Sequence, residues 1–168
     1  MAIQASGAVS ISDIQSEFGG VNPISLSEYY RNGAYVPPGA TAIPTSGAID
    51  ISDFYGASNQ FAFNITSDTA GADIRALAIT AGWDGATRVI ANVNAGVTLY
   101  YGASLAGSFP SGVSLVNSGN ITGTGGGATA AGGTALNITT SDTVDITNNS
   151  GAFIAGGGGG GGGSQGGG

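Results

Sequence analysis

The side chains able to do chemistry in this 168-residue chain are few and nearly all of one kind. Ten Asp and Glu stand against three cations, Arg31, Arg75 and Arg88, and His, Cys and Lys are missing altogether. Without His or Cys there is no Ser–His or Cys–His nucleophile pair and no imidazole base at neutral pH. A Lys Schiff base is impossible, a P-loop would lack its Lys, and a closed zinc site would lack its nitrogen and sulfur ligands. Carboxylates remain. Asp68, Asp73 and Asp84 sit in loop-like sequence and have the oxygen atoms that Ca²⁺ prefers, but Asp68-Thr69-Ala70-Gly71-Ala72-Asp73 lacks the EF-hand spacing, and solvated turn residues are the expectation. Asp142 and Asp145 supply the two carboxylates a glycosidase would need, and are as well explained by a turn and a strand edge. No catalytic residue, metal ligand or cofactor is expected. Trp83, Tyr100, Tyr101 and Phe109 form a candidate aromatic contact surface for a glycan or a protein loop, although such residues are more often core or subunit contacts.

The rest of the composition points to assembly. The net charge of −7, with only three cations, disfavours nucleic acid, whose phosphates need clustered Lys and Arg, and disfavours anionic membrane surfaces. No run is long and apolar enough to span a bilayer, and the first residues have neither the basic start nor the apolar stretch of a secretory signal. There are 33 Gly, where roughly 7% is usual. Charged residues make up only 8% while hydrophobic ones make up 41%, and mean hydropathy is +0.21. A surface so poor in charge is poorly protected against association. Much of it is therefore expected to be covered by neighbours.

The elements that must position these residues fall into three zones: 1–57, 58–112 and 113–168. In the first, Ile3 to Ile14 repeats forty residues later as Ile43 to Phe54. Ser10 and Ser12 can cap a short helix through Phe18 that Gly19 and Gly20 end, and Ser25-Leu26-Ser27-Glu28 has capping-box spacing for a second, Ser27 to Arg31. Ile11, Ile14, Phe18, Leu26, Tyr29, Tyr30 and Phe54 give these helices apolar faces. Helices this short need something to pack on, so those seven residues are read as docking residues that bury against a partner or each other.

The middle zone reads as β-structure. Phe61, Phe63 and Ile65 alternate with polar or small residues, and further strands are expected at Arg75–Thr80, Arg88–Val93, Val97–Tyr101 and Val113–Val116. In the third zone Leu115–Gly123 resembles Thr147–Ala155, each copy running through Asn-Ser-Gly into a short strand and then into Gly. Such self-similarity suggests a solenoid-like or sandwich sheet. The Gly run Gly156, Gly157, Gly158, Gly159, Gly160, Gly161, Gly162 and Gly163 is either a loose tail or an ordered bundle. Chains without Cβ atoms can pack side by side in polyproline-II conformation, here with other copies or with Gly125–Gly127. The fold class expected is mainly β: a short-helix docking module, a β-domain and a Gly-rich tip.

The ordered motifs Ser6–Ile14, Glu17–Gly20, Asn22–Arg31 and Ser46–Ala57 resemble a module of tail-associated virion proteins of tailed bacteriophages. The Asn-Ser-Gly turns running into Gly tracts are similar to those of Gly-rich phage tail fibres and tail-tip adhesins. The resemblance implies a virion protein of the tail, synthesised in the host cytoplasm, whose partners are other tail proteins, further copies of itself (a trimer is the expectation) and a bacterial surface receptor. A capsid or neck cement protein and a polysaccharide depolymerase are the alternatives, and neither nucleic acid nor membrane insertion is implied.

Overall fold

The computed structural model describes residues 2–37 and 39–161. Contacts divide the chain into two units. One holds residues 1–61 with 83–88, the other 62–82 with 89–168.

The first unit is built on the internal repeat. In copy one Ser10 caps helix α1 (Ile11–Phe18), its hydroxyl accepting from the Asp13 amide while the Asp13 carboxylate accepts from the Ser10 amide. In copy two Asp50 and Asp53 form the same reciprocal box ahead of a 3-10 turn, Ile51–Phe54. Each copy places one apolar side chain from its extended stretch (Ile3, Ile43) and one from its helical stretch (Ile14, Phe54) in a common core with Phe18, Tyr29 and Val36. Rings meet edge to face there, Phe54 lying 6.3 Å from both Phe18 and Tyr29. The repeat-related Gly7 and Gly47 both have positive φ, and each carbonyl accepts a tyrosine hydroxyl, from Tyr55 and Tyr30 respectively. α1 ends at Gly19 (φ 84°) as expected. The second expected helix shrinks to a 3-10 turn, Leu26–Glu28, and the Ser25 side chain makes no capping bond to its backbone. Within the same unit the Trp83 indole donates to the Thr87 carbonyl at 2.8 Å.

The strands form two sheets. They are β1 (Gln60–Ile65), β2 (Thr69–Asp73), β3 (Arg88–Val93), β4 (Thr98–Leu105), β5 (Val113–Asn117), β6 (Asn120–Thr122), β7 (Leu136–Ile138), β8 (Val144–Asn148) and β9 (Phe153–Ala155). One sheet has the order β1-β3-β5-β8 and the other β2-β4-β6-β9, with β7 also paired to β4. Apart from β7, which follows β6 in the same sheet, successive strands therefore alternate between sheets. Pairings such as β3–β5, β5–β8, β4–β6 and β6–β9 are parallel. This is a β-solenoid, and it settles the choice between solenoid and sandwich. Alternation along β3 and β5 turns Val89, Ala91, Val93, Val113 and Leu115 inward, the period-two pattern of a strand with one buried face.

Two details differ from the sequence reading. Arg75–Thr80 is helical, not a strand: α2 (Ile74–Thr80) starts at Asp73, whose carboxylate accepts from the Ala76 amide. Ala76-Leu77-Ala78 favours helix, and Ile74 and Ala78, one turn apart, are both buried. The second difference concerns the Asn-Ser-Gly repeat, which aligns at a uniform offset of 32 in the sequence. The sheets pair Asn117 with Asn148 but Asn120 with Phe153, because the turn of the last rung is two residues longer. Asn117 is fully buried between these turns. Its amide donates to Asn148 Oδ1 at 2.8 Å and to the Phe153 carbonyl at 3.2 Å, and its Oδ1 accepts from the Gly119 amide. A Cβ on Gly119 would lie 2.2 Å from the Val97 carbonyl oxygen, so only glycine fits that turn.

Candidate functional site

The seven residues expected to dock lie in the first unit. Ile14, Phe18, Tyr29 and Phe54 are buried in its core, Leu26 packs on that core half-buried, and Ile11 and Tyr30 are half-buried. Ile14, Phe18, Tyr29 and Phe54, with Leu26 against them, share one core cluster. The Tyr29 hydroxyl donates to the Gly19 carbonyl at 2.7 Å, and burial pushes its pKa above the ordinary tyrosine value.

The glycines build something that side chains cannot. Between β6 and β7 the chain leaves the sheet as residues 123–127, returns through 130–133, and is joined by residues 156–161 after β9. The Gly123 and Gly126 amides donate to the carbonyls of Ala155 and Gly158, those of Gly157 and Gly160 to Gly133 and Ala130, and that of Gly133 to Thr124, over 2.6–2.9 Å. Donors and acceptors recur every third residue, the period of the polyproline-II helix. A Cβ added at Gly132 or Gly157 would stand 1.7 Å from a carbonyl oxygen of the neighbouring segment, and one at Gly160 1.8 Å away. At Gly125, Gly158 and Gly161 it would meet nothing within 4 Å. Within the described part of the run, the inward glycines, Gly157 and Gly160, thus recur every third residue, and a Cβ would find room at the positions between them. Gly162 and Gly163 lie outside the described residues.

The four aromatic residues separate. Trp83 and Phe109 are interior, whereas Tyr100 and Tyr101 on β4 are exposed, their rings 5.0 Å apart and edge to face. A contact surface built from all four does not form, because Trp83 and Phe109 have been spent on packing. Beside Tyr101 lies an open cavity of about 200 Å³, lined also by Gly71, Gly102, Ser104, Thr134 and Asn137. Tyr101 has φ 64° and Gly102 φ 87°, and the β2–β4 register slips between Ala70 and Ala72, which pair with Tyr100 and Ala103. β4 therefore carries a bulge whose extra residue turns a tyrosine outward. Sequence reading found the tyrosines but not the bulge. The signal available was a Gly directly after them inside a strand pattern.

The acidic residues hold backbone. Asp68 accepts from the Thr98 amide, Asp73 caps α2, and Asp142 accepts from the Phe109 amide at 2.6 Å. Asp84 accepts from the Ala86 and Thr87 amides and the Thr87 hydroxyl. Partial burial pushes its pKa up, but those hydrogen bonds outweigh it and leave the carboxyl below the ordinary aspartate range. Among the described residues no group of three or more acidic residues could hold a metal ion, and no helix is long and apolar enough to cross a membrane.

The fold is thus a parallel coil of short strands joined to a bundle of bare backbone. The family model described as phage tail fibre adhesin Gp38 matches residues 60–168, the solenoid and the glycine bundle together. The chain belongs to that family of phage tail adhesins. No curated protein and no solved structure matches it.

Proposed function

We propose that this chain is the host-contacting part of a phage tail fibre: the repeat module joins it to other tail proteins, and the solenoid with its glycine bundle presents the surface that meets the bacterium. The observation that carries this reading is the last rung. Its strands β8 and β9 are the outer strands of their sheets, and they expose Ile146 (42%) and Phe153 (46%). Open strand edges with exposed apolar side chains invite pairing with another chain. In a tail that chain is a neighbouring copy or a companion protein, and three copies is the arrangement the fibre resemblance favours. Repeated copies would also turn weak single contacts into firm attachment. The module's packed aromatic core leaves its outer surface for tail contacts, since the core residues are already engaged.

Adsorption tests the proposal. The purified full chain is expected to bind host cells and to compete with phage particles for them. Binding to virions without any binding to cells would instead make it a cement protein. Release of shortened chains from host polysaccharide would make it a depolymerase.

A further inference from the structure

We infer that the β4 bulge is a binding subsite for an uncharged sugar ring, with Tyr101 as its platform; the inference deepens the adhesin reading and rests on it. Three observations converge. The first is conformational: Asn32, Tyr101 and Thr129 are the non-glycine residues with positive φ among those described. Asn tolerates that region, whereas a bulky tyrosine there is strained, and such outliers persist where function holds them. The solenoid would be relaxed by Gly at this position, yet it keeps a ring that is 63% exposed.

The second observation is the ring's support. Tyr100 stands edge to face against it at 5.0 Å, which fixes its plane while leaving a broad face in solvent. The third is what surrounds it. The adjoining cavity is lined by Ser104, Thr134 and Asn137, whose side chains are polar and uncharged. An aromatic face beside uncharged donors and acceptors matches a hexose, which offers an apolar C–H face and a rim of hydroxyls. Among the described residues no cation lines the cavity, and the chain carries −7, so phosphorylated and carboxylated sugars meet no counter-charge from them. A cavity of about 200 Å³ takes one ring at a time, so affinity per site is weak, with Kd on the order of 1 mM.

The test is saturation-transfer NMR on the full chain with three probes, a glucose-based and a galactose-based neutral oligosaccharide and a galacturonate oligosaccharide, repeated with Y101G and N137A. The neutral probes are expected to show transfer and the anionic one none. Y101G is the informative variant, because removing the ring also relieves the backbone. It should melt higher than the parent and still bind neutral sugar at least about tenfold more weakly, and N137A should weaken binding severalfold. A purely structural tyrosine would leave binding unmoved in Y101G. That result, equal transfer to neutral and anionic probes, or no transfer to either neutral probe at tens of millimolar, overturns the subsite. Cell adsorption is scored separately: cells bound without neutral-sugar transfer sink the subsite and leave the adhesin reading, whereas sugar bound without cell adsorption does the reverse.

Discussion

The repeat module and the glycine bundle solve the same problem with opposite means. In the module, two copies of one motif bring Ile3, Ile14, Ile43 and Phe54 together with Phe18 and Tyr29, and hold is supplied by interlocking side chains. In the bundle, residues 123–127, 130–133 and 156–161 meet backbone to backbone, and hold is supplied by amides donating every third residue. The first arrangement responds to lost volume and the second to gained volume. A core of rings leaves a cavity when one is removed, whereas a bundle with carbonyl oxygens 1.7 Å from where a Cβ would stand has no room for even a methyl group.

Substitutions can break that contrast in order of size. Phe54→Ala removes a fully buried ring and should cost about 3–5 kcal/mol, seen as a separate low-temperature unfolding of the module with the solenoid's circular-dichroism signal kept. Gly157→Ala should undo the hydrogen bonds that join the bundle segments, each worth about 1 kcal/mol net, while Gly158→Ala should leave them intact. Amide exchange at Gly126 and Gly160 distinguishes the two, and equal protection in both variants would contradict the inward and outward pattern. Ser10→Ala removes the cap of α1 and should cost about 1 kcal/mol, read from the module's melting temperature.

Acid sharpens the comparison at the smallest scale. The Ser10 amide and hydroxyl hold the Asp13 carboxyl below the ordinary aspartate range, and the Ser52 hydroxyl and amide do the same for Asp50. A depressed folded value contributes stability above the unfolded value, and that contribution is lost as pH falls through the folded one. The module should therefore loosen on acidification below the ordinary aspartate range. The bundle segments contain no charged residue and should keep their amide protection over the same interval.

Local signals in the sequence were those that local physics decides. Ser10, Gly19 and the repeat at Asp50 fix the ends of α1 and the second capping box because a cap is an interaction within four residues. The solenoid's strands are legible at β1 through period-two alternation, at β3 and β5 as short apolar runs, and at β4 only as far as Tyr101, because its bulge breaks the alternation. Thr69–Asp73 reads as a loop, since its Gly and Asp disfavour strand, and only pairing with β4 makes it one. Ile74–Thr80 defied the strand reading because the capping carboxylate of Asp73 selects helix there. The candidate sugar site was half visible: Tyr100 and Tyr101 announce themselves, but Ser104, Thr134 and Asn137 join them only through the β4–β7 pairing. In the sequence Asn117 stands out only as part of the Asn-Ser-Gly repeat. Its burial depends on two turns of unequal length meeting across rungs, which no short window of sequence encodes.

The uniform run after β9 has a consequence for how such a molecule varies. Residues 156–161 are identical to one another, so the segment has no landmarks of its own, and its alignment with residues 123–133 is dictated from outside, where Phe153–Ala155 is locked onto β6. Inserting or deleting glycines further along leaves each lateral bond between equivalent partners. Length can thus drift in evolution without any compensating change elsewhere, a freedom that the ring-packed module, in which every position is distinct, does not have.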